Sequence, residues 1–598
     1  MKKRILCFFL LVSTLMLTAC GNGQSSAVSA DGDAENKNAD GNSSGTSAVN
    51  SGIEFSDMFT DRDYEVGYEE SESAVIMLNG STASCDSDAV QITDNIVTIT
   101  NEGTYIFSGT LEDGMIIVDA DSTDKLQIVL DGVDIHSESS AAIYVLQADK
   151  VFLTLAEGAE NSLSGGEEFI AIDDNNIDAV IFSKDDLTLN GRGSLKIVSP
   201  AGHGIVSKDD LVITSGTYSI NAAGHGLSGK DSVRIADGSL TILSGKDGIH
   251  AENGDDETLG FLYIEGGTYN ITAEGDGLSA ENSMQIEDGS FTIVSGGGSS
   301  NETTASLEDT SSTKGIKAAG NLVLNGGTFS VDAVDDAFHS NASITINDGT
   351  YEISTGDDGF HADEQLTMID GSIFIAESYE GIEGLSIDIS GGEITLTASD
   401  DGINAAGGND QSGLNSFRGH DSFVSSSDAY INISGGMLNI NASGDGIDSN
   451  GSLTVSGGQI YVSGSTDGGN SALDYDSEAV ITGGTVIAAG NSRMAQNFGS
   501  SSTQGVIMVS CGTQAADSII ELTDREGQVI LSWQADKQFD SVVVSSPEIL
   551  QNSTYVLSAG SYSTEITMDT LVYGSGNGMG GRPGMGEQPE MKDKPERE

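Results

Sequence analysis

The chain has 598 residues with 92 acidic and 24 basic side chains, so its formal net charge at pH 7 is −68. This charge excludes nucleic acid as a partner, because proteins bind nucleic acid mainly by neutralising phosphates with Lys and Arg. Another polyanion could bind only through a local basic patch or through bridging cations. Beyond the first twenty residues only Cys85 and Cys511 remain, near opposite ends of the sequence, which indicates that there is no disulfide framework.

The first twenty residues predict an exported lipoprotein. The basic run Lys2-Lys3-Arg4 precedes an apolar stretch at 5–17 that is too short to span a bilayer comfortably. The following Leu17-Thr18-Ala19-Cys20-Gly21 resembles the lipobox of bacterial lipoproteins, which implies lipidation at Cys20 and acyl anchoring. A plain signal peptide with a chance cysteine is the alternative. We therefore expect an extracytoplasmic protein held at the cell membrane by a lipid.

The remaining chain divides by composition. Residues 21–52 are rich in Ser, Gly, Asn and Asp, and they have too little apolar surface to offset the entropy of ordering, so we predict a disordered tether. The Gly-, Pro- and charge-rich end at 574–598 is predicted to be a disordered tail. Between them we expect an N-terminal β cap at 53–165, a parallel β-helix with loop insertions at 166–502 and a C-terminal β cap at 503–573.

The body repeats a unit of about 22 residues, which we call a rung. Each rung has an acidic residue and an anchor Gly or Ala, then alternating apolar residues, a Gly-Gly or Asp-Gly turn and a second alternation. Anchors at a spacing of 22 residues are Gly204, Gly226 and Gly248, and also Gly315, Ala337, Gly359 and Gly381. Period-two alternation marks strands that are buried on one face, and the unit is long enough for three short strands with turns.

Three strands per rung without helices predict an all-β, right-handed parallel β-helix with β caps at both ends, expected to be a monomer. The side chains of Leu322, Phe329 and Phe338 should point inward from three successive strands. Sandwiches lack a strict 22-residue period, and propeller blades need about 40 residues or more. Three stretched intervals, near 254–257, 296–312 and 407–428, predict loops that leave this body.

Acidic side chains recur around the anchors and suggest a cation site. The candidate metal ligands are Asp335, Asp336, Asp357, Asp358, Glu380, Asp400, Asp401, Asn404, Asn409, Asp410, Asp445 and Asp448. Equivalent residues of stacked rungs lie about 4.8 Å apart, where like charges are destabilising unless they are compensated. A row of hard oxygen ligands suits calcium. The alternative is turn chemistry, in which Asp caps the bend that Gly permits. His203 and His225 are interpreted as turn residues, and the spacing of the histidines does not favour zinc.

The sequence leaves catalytic activity open and favours a protein that is not an enzyme. A polyuronate lyase needs a base beside calcium to remove the proton alpha to a carboxylate. The catalytic candidates are Lys314, Lys317 and Arg418. We favour the alternative that these lysines are solvated surface residues.

Several segments resemble a known family. They are 97–105, Leu130-Asp131-Gly132-Val133-Asp134-Ile135, Ala141-Ala142-Ile143-Tyr144, the repeated Asp-Asp-Gly-Phe-His-Ala and 400–410. Over about residues 75 to 500 the chain resembles the secreted clostridial carbohydrate-binding domain-containing proteins. The resemblance implies a right-handed β-helix related in architecture to pectate lyases, which binds calcium and plant cell-wall polysaccharides including polygalacturonate and cellulose. It also implies metal or sugar contacts at Asp400, Asp401, Asn404, Asn409 and Asp410.

These patterns together predict a non-catalytic cell-surface lipoprotein that binds acidic plant cell-wall polysaccharide, such as pectin, through calcium on stacked carboxylates. Cellulose is the weaker ligand, because neutral sugars normally bind to aromatic platforms and Trp533 is the single tryptophan. A calcium-dependent polyuronate (pectate) lyase is the first alternative. A structural adhesin without a glycan site is the second.

Overall fold

The computed structural model describes residues 55–301, 312–406 and 428–575. Their regular structure is β-strand apart from two short 3-10 helices, Asp61–Tyr64 and Glu70–Glu72. Within these ranges, no helix has the length and apolar character needed to cross a membrane. Several predicted features lie outside the described residues: Cys20, the tether, Asn409, Asp410, Arg418 and the tail beyond residue 575.

The chain begins with ten strands. They are β1 (Ala74–Gly80), β2 (Ala83–Ser84), β3 (Val90–Thr93), β4 (Ile96–Ile99), β5 (Gly103–Leu111), β6 (Met115–Asp119), β7 (Lys125–Ser137), β8 (Ile143–Gln147), β9 (Lys150–Leu155) and β10 (Glu160–Gly165). Two antiparallel pairings, β1 with β2 and β3 with β4, cover the beginning of the body. From β4 onward this region pairs in parallel, β4 with β6 and β5 with β7.

The repetitive body follows. Its first strands are β11 (Ala179–Ser183), β12 (Asp186–Gly191), β13 (Ser194–Ser199), β14 (His203–Ser207), β15 (Asp210–Ile213), β16 (Thr217–Ala222), β17 (Leu227–Gly229), β18 (Ser232–Ile235), β19 (Ser239–Ser244), β20 (Ile249–Ala251), β21 (Phe261–Ile264), β22 (Thr268–Ala273), β23 (Leu278–Ala280), β24 (Met284–Ile286), β25 (Ser290–Ser295), β26 (Ile316–Ala318), β27 (Leu322–Leu324) and β28 (Thr328–Ala333).

The body then continues to its last parallel strand. These strands are β29 (Phe338–Ser340), β30 (Ser343–Ile346), β31 (Thr350–Thr355), β32 (Phe360–Met368), β33 (Ser372–Glu377), β34 (Ile382–Ile389), β35 (Glu393–Ala398), β36 (Ile403–Ala405), β37 (Tyr430–Ile433), β38 (Met437–Ala442), β39 (Ile447–Ser449), β40 (Ser452–Val455), β41 (Gln459–Ser463), β42 (Ala479–Ile481) and β43 (Thr485–Gly490).

Each strand in most of the body pairs in parallel with the third strand after it, as β14 does with β17 and β17 with β20. This offset produces three parallel ladders within one long sheet. The ladder whose strands directly follow the anchor residues is called the anchor ladder, and it includes β14, β17, β20, β23, β26, β29, the first halves of β32 and β34, β36 and β39. Every rung therefore presents the same sequence position at the same place on this ladder.

The core consists of the side chains that alternate inward. Leu322, Phe329 and Phe338 are buried, as the period-two alternation predicts. On the ladder of β22, β25, β28 and β31, the rings of Tyr269, Phe291, Phe329 and Tyr351 stack at 4.5, 4.7 and 5.0 Å with interplanar angles of 4°. Each such pair adds about 0.5–1.5 kcal/mol beyond its buried area.

The parallel ladders begin earlier than the predicted boundary at residue 166. The strands β5 and β7 are long enough to take part in two ladders, and β7 pairs with both β9 and β10. A register shift between Phe107 and Gly109 interrupts the pairing of β5 with β7. These long strands break the 22-residue count, although they keep the parallel pairing. Parallel pairing is therefore already present within 53–165, the range for which a β cap is predicted.

The segment at 55–73, which we call the strap, lies across several rungs. Phe55 packs on Tyr263 at 5.7 Å between ring centroids, and the guanidinium of Arg62 lies 4.5 Å from the Phe152 ring centroid. The strap thus connects strands from β9 to β21. Asp63, buried beneath it, forms an ion pair of 2.9 Å with Lys150 Nζ and accepts a hydrogen bond from Thr188.

The C-terminal cap has a different topology. Its strands are β44 (Val506–Gln514), β45 (Ile519–Asp524), β46 (Val529–Gln534), β47 (Phe539–Ser545), β48 (Thr554–Ala559), β49 (Tyr562–Thr567) and β50 (Val572–Tyr573). The strand β47 lies antiparallel to both β43 and β44, and β46-β45-β48-β49 form a separate four-stranded sheet. Cys85 and Cys511 are free thiols, as expected, and Trp533 packs on Tyr461 at 5.9 Å between ring centroids.

Candidate functional site

The anchor ladder arranges the polar residues in two columns. The first column consists of the residues directly before the anchors: His203, His225, Asp247, Asp276, Lys314, Asp336, Asp358, Glu380, Asp401 and Asp445. The second column lies two residues after the anchors: Ser228, His250, Ser279, Lys317, His339, His361, Glu383, Asn404 and Asp448. The ladder thus brings the predicted acidic residues together in space.

Carboxylates of the first column bind the backbone of the next rung. The N–H of Glu380 donates to Asp358 Oδ1 at 3.1 Å, and the N–H of Asp358 donates to Asp336 Oδ1 at 3.1 Å. The N–H of Asp445 donates to Asp401 Oδ1 at 2.5 Å. One oxygen of each side chain therefore has the capping role of the turn alternative. The second oxygen of the carboxylate can interact elsewhere.

The first two histidines have the same capping role. The N–H of His225 donates to His203 Nδ1 at 2.8 Å, and the N–H of Asp247 donates to His225 Nδ1 at 3.2 Å. An imidazole nitrogen that accepts a hydrogen bond is unprotonated. Burial and the neighbouring His225 lower the pKa of His203 to about 3. The prediction that His203 and His225 are turn residues agrees with this geometry.

The first of three carboxylate clusters, Asp335–Asp336–Asp357, contains a cation of the chain itself. Its ligand atoms lie within 4.8 Å of one another. Lys314 Nζ lies 2.8 Å from Asp335 Oδ1 and 2.7 Å from Asp336 Oδ2. His339 Nδ1 also lies 2.8 Å from Asp336 Oδ2. Burial opposes the charge of Lys314, but the carboxylates of Asp336 and Asp335 outweigh it and raise its pKa.

This geometry corrects the interpretation of Lys314 as a solvated surface lysine. The side chain is buried and ion-paired, because its rung stacks directly before the rung of Asp336. A protonated lysine held in this way cannot accept a proton, so Lys314 does not fit the base of a lyase. Lys317 is partly exposed, with Nζ 3.9 Å from Asp276 Oδ2.

The second cluster, Asp358–His361–Glu383, is centred on an imidazole. His361 Nδ1 lies 2.7 Å from Glu383 Oε2 and 3.1 Å from Asp358 Oδ2, and Nε2 lies 3.2 Å from Asp363 Oδ1. Burial opposes the charge of His361, but the hydrogen bonds with Asp358, Asp363 and Glu383 outweigh it and raise its pKa. The positive charge of the imidazole offsets the surrounding carboxylates. The spacing of two residues after the anchor places Glu383 next to His361 in the sequence pattern, whereas sequence reasoning missed Asp363 as a partner.

The third cluster, Asp401–Asp445–Asp448, has a different charge balance. Its ligand atoms lie within 4.8 Å of one another. Burial, followed by the charges of Asp445, Asp448 and Asp400, raises the pKa of Asp401 to about 9. Burial also raises the pKa of Asp445 to about 7. Within the described ranges, neither Asp401 nor Asp445 forms an ion pair with a basic side chain.

Two neighbours favour a cation at the third cluster. Asn404, which is 1% exposed, donates from Nδ2 to both carboxylate oxygens of Glu380, whereas its Oδ1 has no hydrogen-bond partner. Asn404 is the register partner of Asp448, and because its amide nitrogen is directed at Glu380, its oxygen is directed away from that rung. A side chain at Gly444 would collide with the carboxylates of Asp400 and Asp401, so Gly leaves these groups room to converge. Buried amide and carboxylate oxygens are the donor set that calcium accepts.

The structure thus distributes the described candidate ligands over distinct environments. Asp335 and Asp336 contact Lys314 and have Asp357 beside them, Asp358 contacts His361, and Glu380 binds Asn404. Asp400, Asp401, Asp445 and Asp448 converge beyond Asn404. Asn409, Asp410 and Arg418 belong to a segment outside the described residues.

A family model and a curated relative both carry the description of a carbohydrate-binding family. The profile of a family described as "Carbohydrate-binding domain-containing protein" matches residues 93–359 and 358–572. A protein of the same description from Acetivibrio thermocellus is 38% identical over 153 residues, which are 25% of this chain and 54% of the relative. The chain therefore spans about half the length of this curated relative. A solved structure titled "Structure of the polysaccharide lyase-like protein from C. thermocellum, Gadolinium derivative" is 30% identical, with 46% of this chain and 96% of that chain covered and a TM-score of 0.36.

Proposed function

This chain belongs to the family of carbohydrate-binding domain-containing proteins, and from that membership we propose that it binds an acidic, polygalacturonate-like plant cell-wall polysaccharide through calcium at the third cluster. Asp401, Asp445 and Asp448 supply carboxylate oxygens, and Asn404 supplies an amide oxygen. The lipobox supports the further proposal that the protein acts as a lipid-anchored surface protein.

The observation that carries this proposal is the orphaned oxygen of Asn404 beside converging carboxylates. Burying a polar oxygen without a partner costs about 1–3 kcal/mol, and buried carboxylates repel one another. A calcium ion satisfies both the amide oxygen and the carboxylates, because it takes about 6–8 oxygen ligands in flexible geometry. The lysine and imidazole of the other two clusters already provide such compensation there.

Calcium also accounts for how a chain of net charge −68 could hold a polyanion. Protein side chains at the third cluster leave coordination positions of the ion for further oxygens, and a uronate carboxylate is a suitable ligand. The cation then lies between two groups that would otherwise repel each other. The three-strand offset supports the proposal that the ladders form a right-handed parallel β-helix, along which a linear glycan could lie.

Binding is favoured over lyase chemistry. A lyase requires a neutral base beside the calcium ion, and the lysine of the first column, Lys314, is held protonated by two carboxylates. The partly exposed Lys317 lies on β26, several rungs before the third cluster.

Retention of the purified full-length protein on immobilised polygalacturonate tests this proposal. We expect retention with millimolar calcium, release by a chelator and loss of retention in the double variant Asp401→Asn with Asp445→Asn. The control is Asp348→Asn, which changes an exposed aspartate that caps an ordinary Asp-Gly turn. Retention that ignores chelator, or that survives in the double variant, contradicts the proposal. If the folded protein is not retained on any polysaccharide, the structural adhesin without a glycan site is favoured.

A further inference from the structure

The three clusters of the anchor ladder differ in whether a basic side chain of the protein balances the charge of their carboxylates. The first cluster contains the ammonium of Lys314, and the second contains the imidazole of His361. At Asp401 and Asp445 no basic side chain of the described residues supplies an ion pair. The sequence position of Lys314 is informative, because the neighbouring rungs carry Asp276 and Asp336 there.

Lys314 occupies the place in the first cluster that a metal would need. Its Nζ lies 2.7–2.8 Å from oxygens of Asp336 and Asp335, which belong to the next rung. Calcium–oxygen distances are about 2.3–2.6 Å, so an ion and the ammonium cannot share these oxygens. The Asp335–Asp336–Asp357 oxygens are as close together as those of the third cluster, within 4.8 Å. The ammonium of Lys314, which contacts both Asp335 and Asp336, is the basic group that joins two carboxylates of the first cluster, and His339 adds a contact to Asp336.

We propose that Lys314 is a built-in cation that keeps the Asp335–Asp336–Asp357 cluster closed to calcium, and that removing its ammonium opens a second calcium site there. The proposal deepens the function proposed above, on which it rests for the identity of the cation, but the second site does not depend on the third cluster. The lysine is tethered to the backbone, so it neutralises Asp336 at any calcium concentration.

This arrangement determines where along the ladder a glycan carboxylate can be bridged by calcium. Bridging is confined to the rungs of Asp401 and Asp445. Along the first cluster, the carboxylates of Asp335 and Asp336 are already engaged by Lys314. The polysaccharide is therefore fixed at one end of the anchor ladder rather than held at every rung.

Calcium stoichiometry of full-length variants, measured by isothermal titration calorimetry, tests the proposal. Lys314→Met removes the charge and keeps a long side chain, and we expect it to bind one more calcium ion per chain than the wild type. The matched control is Lys196→Met, an exposed lysine on another ladder, which should leave the count unchanged. A folded Lys314→Met protein without the added ion overturns the proposal.

A second variant keeps the test decisive if Lys314→Met does not fold. In the wild-type background, Asp357→Asn should leave the calcium count unchanged, because the first cluster holds no calcium while Lys314 is present. A lost calcium ion in Asp357→Asn overturns the proposal. If the third cluster does not bind calcium, the double variant Asp401→Asn with Asp445→Asn binds as many calcium ions as the wild type. That result is distinct from the results that overturn the proposal for Lys314.

Discussion

The strap is held by a buried ion pair, and replacing Asp63 with Asn should release it. Asp63 Oδ1 lies 2.9 Å from Lys150 Nζ, and their side chains are 2% and 10% exposed. Thr188 Oγ1 donates to the same oxygen at 2.7 Å. Removing one partner of such a pair costs about 3–5 kcal/mol, and in Asp63→Asn the buried Lys150 ammonium keeps only the longer contact of 3.9 Å to Asp186 Oδ2. The loss should appear as local opening of the strap rather than unfolding of the whole chain.

The same ion pair makes the strap acid-sensitive. Although burial opposes ionisation, hydrogen bonds from Thr60 and Thr188 and the ammonium of Lys150 lower the pKa of Asp63 to about 2. The folded-state pKa lies below the unfolded value of about 3.9, so the stabilisation is complete above that value. It is lost as the pH falls through 4 towards 2. We expect the strap of the wild type to open in this range and the strap of Asp63→Asn to be insensitive to it.

Hydrogen–deuterium exchange at 55–73 measures the opening directly. The control is Asp61→Asn, which removes an exposed carboxylate two residues away. Combining Asp63→Asn with Lys150→Met should recover part of the protection, since the buried and weakly paired ammonium is then absent. Equal strap protection in Asp63→Asn and Asp61→Asn at neutral pH would refute the reasoning that the buried pair holds the strap.

Two further predictions concern the core and the third cluster. Phe329→Ala interrupts the aromatic stack and should cost about 3–5 kcal/mol, seen as faster amide exchange in β25, β28 and β31; Phe374→Ala, at a side chain that is 48% exposed, should cost much less, and equal effects would contradict the packing argument. Gly444→Ala should weaken calcium binding about tenfold or more, equivalent to about 1.4 kcal/mol, because the added Cβ displaces the carboxylates of Asp400 and Asp401. Its control is Gly254→Ala, where a Cβ meets nothing closer than 3.7 Å, and unchanged calorimetric affinity in Gly444→Ala would contradict the proposed ligand set.

The parallel strands of the body were predictable because the repeating residues set both the 22-residue period and the pattern of buried side chains. The alternation around Phe329 places buried side chains two apart, and the 22-residue spacing of the anchors sets which residues stack. The beginning of the parallel ladders was less predictable, since the strands β5 and β7 are longer than those of the repeat. The strap was not predicted, because its contacts join residues that are far apart in the sequence, as Asp63 and Thr188 are.

The stacking of the candidate residues was predictable from their spacing, whereas the charge balance around them was not. Spacing alone brought Asp401 and Asp445 into one column. It could not show that Lys314 reaches into the next rung, because a long flexible side chain can extend to solvent or to either neighbour. The buried amide oxygen of Asn404 is also a property of the packed structure, since whether an atom lacks a partner depends on its whole surroundings.

The antiparallel strand β47 has a consequence for how copies of this protein behave in solution. A stack of parallel strands ends in a row of unpaired backbone groups, which can recruit the first strand of another molecule and so begin a fibre. The row on β43 is instead paired with β47, from Val486 with Ser545 to Gly490 with Ser541. Because β47 runs in the opposite direction and is itself covered by β44, it does not offer the parallel edge that the next repeat would extend. At the end of this ladder, β47 therefore takes the backbone groups of β43 that a parallel strand of a second molecule would need.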